Sequence, residues 1–347
     1  MYKAVVIGYF ANGLSRAGGQ EAKTWNVTEM LEKVYGSEQI SKIDTLGWRK
    51  SPFKLFKRII SISSKCQNVI MLPAQNSIKV FIPLFWILRI VLGVKIHYVV
   101  VGGWLPEFLN NKPILKSMAK KLDGIYVELN GMKKKLEEKN FSNVVYFPNF
   151  KNLEILPVQK LAHDYQQPLK LCTFSRVSKE KGIELAINAV KHINKYYAET
   201  VFTLDIYGKI EENYLHEFNN IIEEFPQYIS YAGMVEPSQS VEVLQSYYAL
   251  LFPTYYEGEG FAGTLIDALS AGVPIVASDW KYNSEIVNDM HTGILVDTNN
   301  EKKLYETLEW ILTHSSQWIT MKKNCVEEAT KFCPDCVIKA LIDKMEK

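Results

Sequence analysis

The 347-residue chain lacks most of the signals that announce metal, redox or membrane-spanning chemistry. No Asp-x-Asp occurs anywhere, so a divalent-metal site built on such a pair has no candidate. The six histidines show no His-Glu-x-x-His or comparable ligand spacing, and no metal is expected. The five cysteines are odd in number and scattered. Their one close pair, Cys333-Pro334-Asp335-Cys336, lies outside a βαβ context and has no second pair to complete a zinc site. A membrane span needs about 20 consecutive apolar residues. The most hydrophobic region, Val80 to Val101, is interrupted by Pro83, Arg89, Lys95 and His97 and reads as a buried helix followed by a buried strand. The first residues, Met1 to Gly8, read as a strand entering a glycine loop, without the apolar core or cleavage site of a signal peptide. With the scattered thiols, that gives the expectation of a reducing, cytoplasmic setting. Low-complexity tracts and short-period repeats are absent too.

What is present is a globular composition, 47% hydrophobic and 12% aromatic. The length suits two domains of about 150 residues each. Apolar runs alternate with amphipathic stretches, the pattern of βα units around parallel sheets. Strands are expected at Ala4–Ile7, Val69–Leu72, Ile96–Val101, Gly124–Val127 and Val144–Phe147. The pattern breaks at Pro148-Asn149 and through the polar segment Lys151–Pro168. It restarts with Leu169–Phe174, Thr203–Ile206, Ile229–Tyr231, Ala249–Phe252, Pro274–Ala277 and Ile294–Val296. The restart argues for two similar doubly wound α/β domains, 1–155 and 168–330, with a cleft between them. Residues 334–347 read as a short amphipathic helix.

Net charge is only +2 but unevenly spread: residues 1–155 hold 23 Lys+Arg against 11 Asp+Glu, and the remainder holds 17 against 27. The basic half faces either an anionic surface or substrate, or solvent across lysine-rich helix faces. Its segment Trp48–Arg58 mixes aromatics with five cations, a composition suited to an anionic membrane surface. No nucleic-acid motif accompanies it, so nucleic acid is not expected as a partner.

Chemistry-bearing residues cluster at the carboxyl ends of expected strands. The richest stretch is Phe252-Pro253-Thr254-Tyr255-Tyr256-Glu257-Gly258-Glu259-Gly260-Phe261-Ala262-Gly263-Thr264-Leu265-Ile266-Asp267-Ala268. It reads as strand, glycine-rich acidic turn and helix. Glycines let a carboxylate such as Glu259 approach a ligand closely. The helix starting near Gly263 aims the N–H groups of Gly263, Thr264 and Leu265 at the same space and favours a bound anion such as phosphate. Arg176 and Lys181, five residues apart after the strand Leu169–Phe174, can converge on one pyrophosphate as a fork and a point charge. Gly208-Lys209 and Met234-Val235 sit in loops after two further strands. In the first half, four glycines including Gly18-Gly19 follow the first strand, where a doubly wound sheet places its ligand loop. Their spacing is not the dinucleotide Gly-x-Gly-x-x-Gly. Gly102-Gly103 ends another strand there, and Trp104 beside it is either a sugar platform or core.

Glu259-Gly260-Phe261 and Asp267-Ala268 resemble, in register, the signature of retaining glycosyltransferases of family 4: Glu-(Gly/Ser)-Phe-Gly, four residues, then Glu-Ala. Arg176 to Gly182 is similar to the family's Arg-x-x-x-x-Lys-Gly element. Two departures are Asp267 in place of Glu and Ala262 in place of Gly. A histidine that many relatives carry near Gly102 is also missing. The resemblance implies the GT-B fold, two Rossmann-like domains facing a central cleft with the last helix crossing back to the first domain. It implies transfer of a sugar from a nucleotide-diphosphate donor, UDP foremost, with retention at the anomeric carbon and no metal or cofactor. Glu259, Arg176 and Lys181 take the catalytic roles. Gly18, Gly19, Gly102, Gly103, Gly260, Phe261, Ala262, Gly263, Thr264 and Leu265 contact donor sugar or phosphate. Asp267, Gly208, Lys209, Met234 and Val235 contact the nucleotide. A saccharide or lipid-linked oligosaccharide acceptor in capsule or surface polysaccharide assembly, with peripheral contact to the inner membrane face, is the expected setting. The alternatives are a GT-B sugar-nucleotide epimerase or hydrolase, and a non-catalytic subunit that partners a transferase.

Overall fold

Runs of Val, Ile and Leu become the central strands of two parallel sheets, because a strand covered by helices on both faces must be apolar on both. The computed structural model describes residues 1–11 and 19–347. They divide into two units, Met1–Asn152 with Phe332–Lys347, and Leu153–Lys331.

The first unit runs β1 (Tyr2–Gly8), α1 (Gly19–Tyr35), β2 (Ile40–Asp44), α2 (Pro52–Ser63), β3 (Cys66–Leu72), α3 (Ile78–Leu92), β4 (Lys95–Val99), α4 (Leu105–Phe108), α5 (Pro113–Ala119), β5 (Gly124–Val127), α6 (Asn130–Glu137) and β6 (Val144–Tyr146). Its strands are parallel in the order β2-β1-β3-β4-β5-β6. Right-handed crossovers place α1 on one face and α2, α3, α5 and α6 on the other, since the chain reverses direction across the sheet after β2. The C-terminal helix (Pro334–Glu346) belongs to this unit, as the resemblance implies. It buries Val337, Ile338, Leu341 and Met345 in the core that α1 also lines. Lys33 to Asp335 (2.8 Å) and Tyr35 to Glu346 (3.1 Å) fix its two ends.

Strand β2 is absent from the sequence expectation. It is an edge strand with only Ile40 and Ile43 buried, and Lys42 between them is exposed. Edge strands carry such charges to discourage further pairing, and that polar face hides the strand from a search for apolar runs.

The second unit runs β7 (Leu169–Phe174), α7 (Ile183–Tyr197), β8 (Phe202–Tyr207), α8 (Leu215–Glu223), β9 (Ile229–Gly233), α9 (Ser240–Leu244), β10 (Ala249–Phe252), α10 (Gly263–Ser270), β11 (Ile275–Ser278), β12 (Gly293–Val296), α11 (Glu301–Thr313) and α12 (Ser315–Ala329). Its sheet is parallel in the order β12-β11-β10-β7-β8-β9. From β7 the chain winds outward through β8 and β9, then returns to β10 on the other side of β7. The gap between the carboxyl ends of β7 and β10 is therefore a topological switch point, where open α/β sheets bind ligands. Trp318 and Tyr248 lock the far side of this core: the indole N–H donates to Tyr248 O (3.0 Å), and the Tyr248 hydroxyl to Ile311 O (2.9 Å). The Cys-x-x-Cys pair forms a disulfide between Cys333 and Cys336 at the start of the C-terminal helix, while Cys66, Cys172 and Cys325 are buried free thiols.

One buried cation in this core lacks an acceptor. Among the described residues, Lys322 on α12 makes no hydrogen bond through Nζ, which lies 5.3 Å from the centre of the Tyr165 ring. Burial lowers its pKa from the ordinary 10.5 to about 8. The unfolded chain therefore holds this proton up to a higher pH than the fold does. Folding carries a penalty at neutral pH that lifts as pH rises from about 8 to 10.5. Lys322→Met is expected to unfold at higher denaturant than wild type at pH 7. Its advantage should shrink by about 3 kcal/mol between pH 8 and 10.5. A pH-independent difference in denaturation midpoint contradicts this.

Candidate active site

The switch point of the second sheet holds both motifs singled out in the sequence. Strand β7 delivers Arg176 and the turn Lys179–Lys181, and β10 delivers the acidic turn. Gly182 ends the turn at φ +70°, and a Cβ there would lie 2.2 Å from Pro253 O, so only glycine lets the two segments approach this closely. The contact seats Lys181 Nζ 2.5 Å from Glu259 Oε2. Both side chains are nearly closed to solvent, at 7% and 8% exposure. Thr254 donates its hydroxyl to the same carboxylate oxygen at 2.9 Å. Tyr255 N–H to Glu180 O (2.8 Å) and Glu259 N–H to Tyr256 O (3.1 Å) hold the turn around the pair. Ser278 at the end of β11 anchors Thr254 O through its hydroxyl.

Arg176 lies beside this pair. Its half-exposed guanidinium is ion-paired with Glu211 and stands 5.5 Å from the centre of the Tyr256 ring. Lys181 Nζ is 5.2 Å from the same ring. Tyr256 thus bridges the two cations, whose repulsion is offset by the ring's negative face and by one carboxylate each. The acidic turn is fastened from outside as well, by Trp280 N–H to Tyr256 O (2.8 Å) and by Lys281 to Glu257 (2.6 Å).

Helix α10 opens next to Glu259 with no side-chain cap. The Leu265 amide departs from the sequence expectation. It donates to Ala262 O at 3.1 Å, tightening the first turn, so among the described residues the open donors are the amides of Gly263 and Thr264. Among the described residues, the Thr264 hydroxyl oxygen is buried without a hydrogen-bond partner, an orphan polar group at the same end. Phe261, Ala262 and Leu265 turn their side chains into the core. Asp267 is buried one turn further on, with Ser240 Oγ 3.2 Å from its Oδ1.

The loops after β7, β8 and β9 are laced together. Val177 N–H donates to Lys209 O (2.9 Å), Glu211 N–H to Val177 O (3.0 Å), and Gly208 N–H to Gly233 O (2.8 Å). Gly208 sits at φ +133°, and a Cβ there would fall 1.7 Å from Ser175 O. Tyr231 donates its hydroxyl to Gly208 O (2.9 Å). Lys209 and Met234 are exposed around this lacework and Val235 is partly so.

In the first unit, Gly18 lies outside the described residues and Gly19 opens α1. Gly102, at φ +85°, donates its N–H to Glu128 Oε2 (3.2 Å), with Gly103 next to it. Trp104 spends its indole N–H on Val101 O (2.8 Å) and meets Phe108 edge-on, so it braces this turn. Behind it is a second buried pair, Lys23 with Glu128 (3.4 Å), whose Lys23 also donates to Pro148 O (2.9 Å). Burial lowers the Lys23 pKa to about 8 and raises that of Glu128, each against the pull of its partner. Sequence reasoning missed Lys23, Glu128, Thr254, Tyr256, Glu211 and Ser240. Thr254 and Tyr256 lie inside the acidic stretch as ordinary turn residues, Glu128 directly follows β5, and Lys23, Glu211 and Ser240 belong to no motif, so only topology brings the six to the two sites.

The chain has relatives among known proteins. A family model described as Glycosyl transferases group 1 matches residues 159–332, half of the chain. The GtfA subunit of the UDP-N-acetylglucosamine–peptide N-acetylglucosaminyltransferase of Streptococcus pneumoniae is 27% identical over 186 residues, 53% of this chain and 36% of that protein. An uncharacterized glycosyltransferase of Methanocaldococcus jannaschii is 25% identical over 206 residues, 57% of this chain and 51% of its own. The match thus spans about half or less of these relatives' length. The crystal structure of Anabaena HepE in complex with UDP superposes with a TM-score of 0.76 at 12% identity, covering 100% of both chains. That likeness is one of fold, the GT-B architecture of two parallel α/β units. The chain belongs to the family of glycosyl transferases group 1.

Proposed function

We propose that the chain moves a sugar from a UDP-linked donor to a saccharide or lipid-linked oligosaccharide acceptor, with retention at the anomeric carbon as in family 4. Surface or capsular polysaccharide assembly at the cytoplasmic side of the membrane is the setting this reading favours. The observation that carries it is the convergence of Arg176 and Lys181 around Tyr256, beside the uncapped start of α10, with Lys181 held on Glu259. Two cations, two open amides and an orphan hydroxyl in one place suit a diphosphate, and the carboxylate beside them suits sugar hydroxyls. The UDP in the Anabaena complex and the UDP-sugar named for the Streptococcus relative support the choice of base.

In this reading the bond from the anomeric carbon to the diphosphate oxygen breaks while the acceptor oxygen bonds to the same face. The acceptor's proton passes to the departing phosphate. Arg176, Lys181 and the amides of Gly263 and Thr264 stabilise the charge that grows on that phosphate, without a metal. Donors fixed before the reaction are often the largest catalytic term. Glu259 grips donor-sugar hydroxyls and sets the position of the reacting carbon. Gly260, Phe261 and Ala262 shape the turn that presents it. Asp267, with Ser240 beside it, takes the ribose hydroxyls. The laced loops at Gly208, Lys209, Met234 and Val235 take the base largely through backbone groups.

A thermal-shift screen of UDP, GDP, dTDP and CMP sugars tests the reading. A UDP-sugar is expected to raise the melting temperature most, because a ligand bound only to the native state stabilises it. Glu259→Ala and Lys181→Ala should each lose at least about tenfold in transfer. No shift with any nucleotide, or near-normal turnover in both variants, overturns it. Conversion of the donor without acceptor would point instead to an epimerase or hydrolase.

Glu211 makes a separate prediction, since it occupies Arg176 where the diphosphate would. Glu211→Gln should tighten UDP binding about threefold to fivefold, the worth of a partly exposed ion pair, as read by calorimetry. Unchanged or weaker binding means that Glu211 does not compete for Arg176.

A further inference from the structure

From Thr45 to Pro106 the chain holds no aspartate or glutamate and nine lysines and arginines. The stretch builds α2, β3, α3 and β4, and both helices lie on the sheet face opposite α1 and the C-terminal helix. Counted from Gln75 to Leu92, α3 and its lead-in have the length and apolarity of a membrane span, with a mean hydropathy of 1.4. Only a third of that segment is buried. Ile78, Phe81, Ile82, Phe85 and Leu88 pack on the sheet. Ile87, Ile90 and Val91 stay outside, Val91 at 71% exposure. Packed against α3, α5 adds Ile114 at 70%, and α2 adds Phe53 at 87%.

The same helices carry exposed cations. Lys54, Lys57 and Arg58 on α2 and Lys79 on α3 are exposed, and Lys54, Lys57 and Lys79 form no ion pair among the described residues. Lys121 Nζ lies 5.7 Å from the centre of the Trp86 ring, at the rim of a shallow groove that Trp86, Ile114 and Met118 line. Ile87, Ile90 and Val91, spaced three and four residues apart, form one exposed apolar stripe along α3, and such a stripe on a folded unit marks an interaction surface. Its unpaired positive rim and the missing acids select an anionic partner. A second copy of the chain is a poor occupant, because a self-complementary contact would bring the same cations face to face.

We propose that the α2–α3–α5 face of the first unit docks on an anionic lipid bilayer. Phe53, Ile87, Ile90, Val91 and Ile114 enter the interfacial zone, while Lys54, Lys57, Lys79 and Lys121 meet headgroup phosphates. The surface uses no residue of the candidate active site, so it stands or falls apart from the reading of the donor.

Flotation with vesicles of phosphatidylcholine alone, and with phosphatidylglycerol added, tests it on the full chain. The wild-type protein is expected to float with the anionic vesicles at low salt and to release at high salt, with little binding to the neutral ones. Each lysine near such a surface is worth about fivefold in binding. Lys54→Glu/Lys57→Glu should therefore weaken binding by at least about twenty-five-fold. Lys339→Glu/Lys344→Glu, the same charge change on the opposite face, should leave binding near wild type. Ile90→Ser/Val91→Ser should lose binding while transfer of a soluble donor and the melting temperature persist. Equal binding to neutral vesicles, equal losses from both charge pairs, or no loss from the serine variant overturns the proposal. So does a concentration-dependent dimer, in analytical ultracentrifugation, that the same serine variant dissolves.

Discussion

The second unit is organised around one costly interaction, the buried pair between Lys181 and Glu259. Removing two charges from water costs several kcal/mol each, and their attraction repays this only with good geometry and further hydrogen bonds. Those conditions are met here by the 2.5 Å contact, by the Thr254 hydroxyl on the same oxygen and by the rings of Phe252 and Tyr256 around the ammonium. Apolar residues of similar volume would stabilise such a site as well or better. A buried pair retained at the switch point of a parallel sheet is therefore better explained by what it holds ready than by what it adds to folding. It keeps a cation and a carboxylate in fixed positions before any ligand arrives, which is the arrangement that lowers reorganisation during charge transfer.

The neighbouring features follow from the need to keep that pair in place. At Gly182 and Gly208 the backbone of another segment passes too close for any Cβ, and both bring a loop of the second sheet onto its neighbour. Tyr256 separates two cations that would otherwise repel, and Glu211 neutralises the more exposed of them. The first unit repeats the device at the carboxyl end of its own sheet, where Glu128 receives both Lys23 and the Gly102 amide. In each unit a buried lysine–glutamate pair braces a glycine-bearing turn.

Much of this was legible in the sequence, for physical reasons. Strands covered on both faces must be apolar throughout, and the partly exposed β6, β8, β9 and β12 still keep an apolar residue at a buried position, so eleven of the twelve strands among the described residues, and the break after β6, could be read directly. The edge strand β2 could not, because Lys42 is exposed and Ser41 and Asp44 are half-buried, which leaves only Ile40 and Ile43 apolar and covered. Arg176, Lys181 and Glu259 were legible through their spacing to glycines. The contact of Lys181 with Glu259 was not, since it depends on β7 and β10 being neighbours: Glu180 and Thr254, which touch there, are 74 positions apart in the chain. Thr254, Tyr256 and Glu211 read as ordinary turn residues until the strand order is known. The Leu265 amide was misjudged because a tight first turn, which spends it on Ala262, leaves no trace in residue types.

A double-mutant cycle on Lys181 and Glu259 tests the central claim most directly. Lys181→Met, Glu259→Gln and the double variant are compared with wild type by denaturant unfolding and by donor turnover. Each single change strands a buried partner and is expected to cost about 3 kcal/mol or more of stability, while the double variant recovers most of it. Turnover in the double variant should stay as low as in the worse single variant. Recovered turnover together with recovered stability would contradict the account, because the pair would then be a structural tie and nothing more.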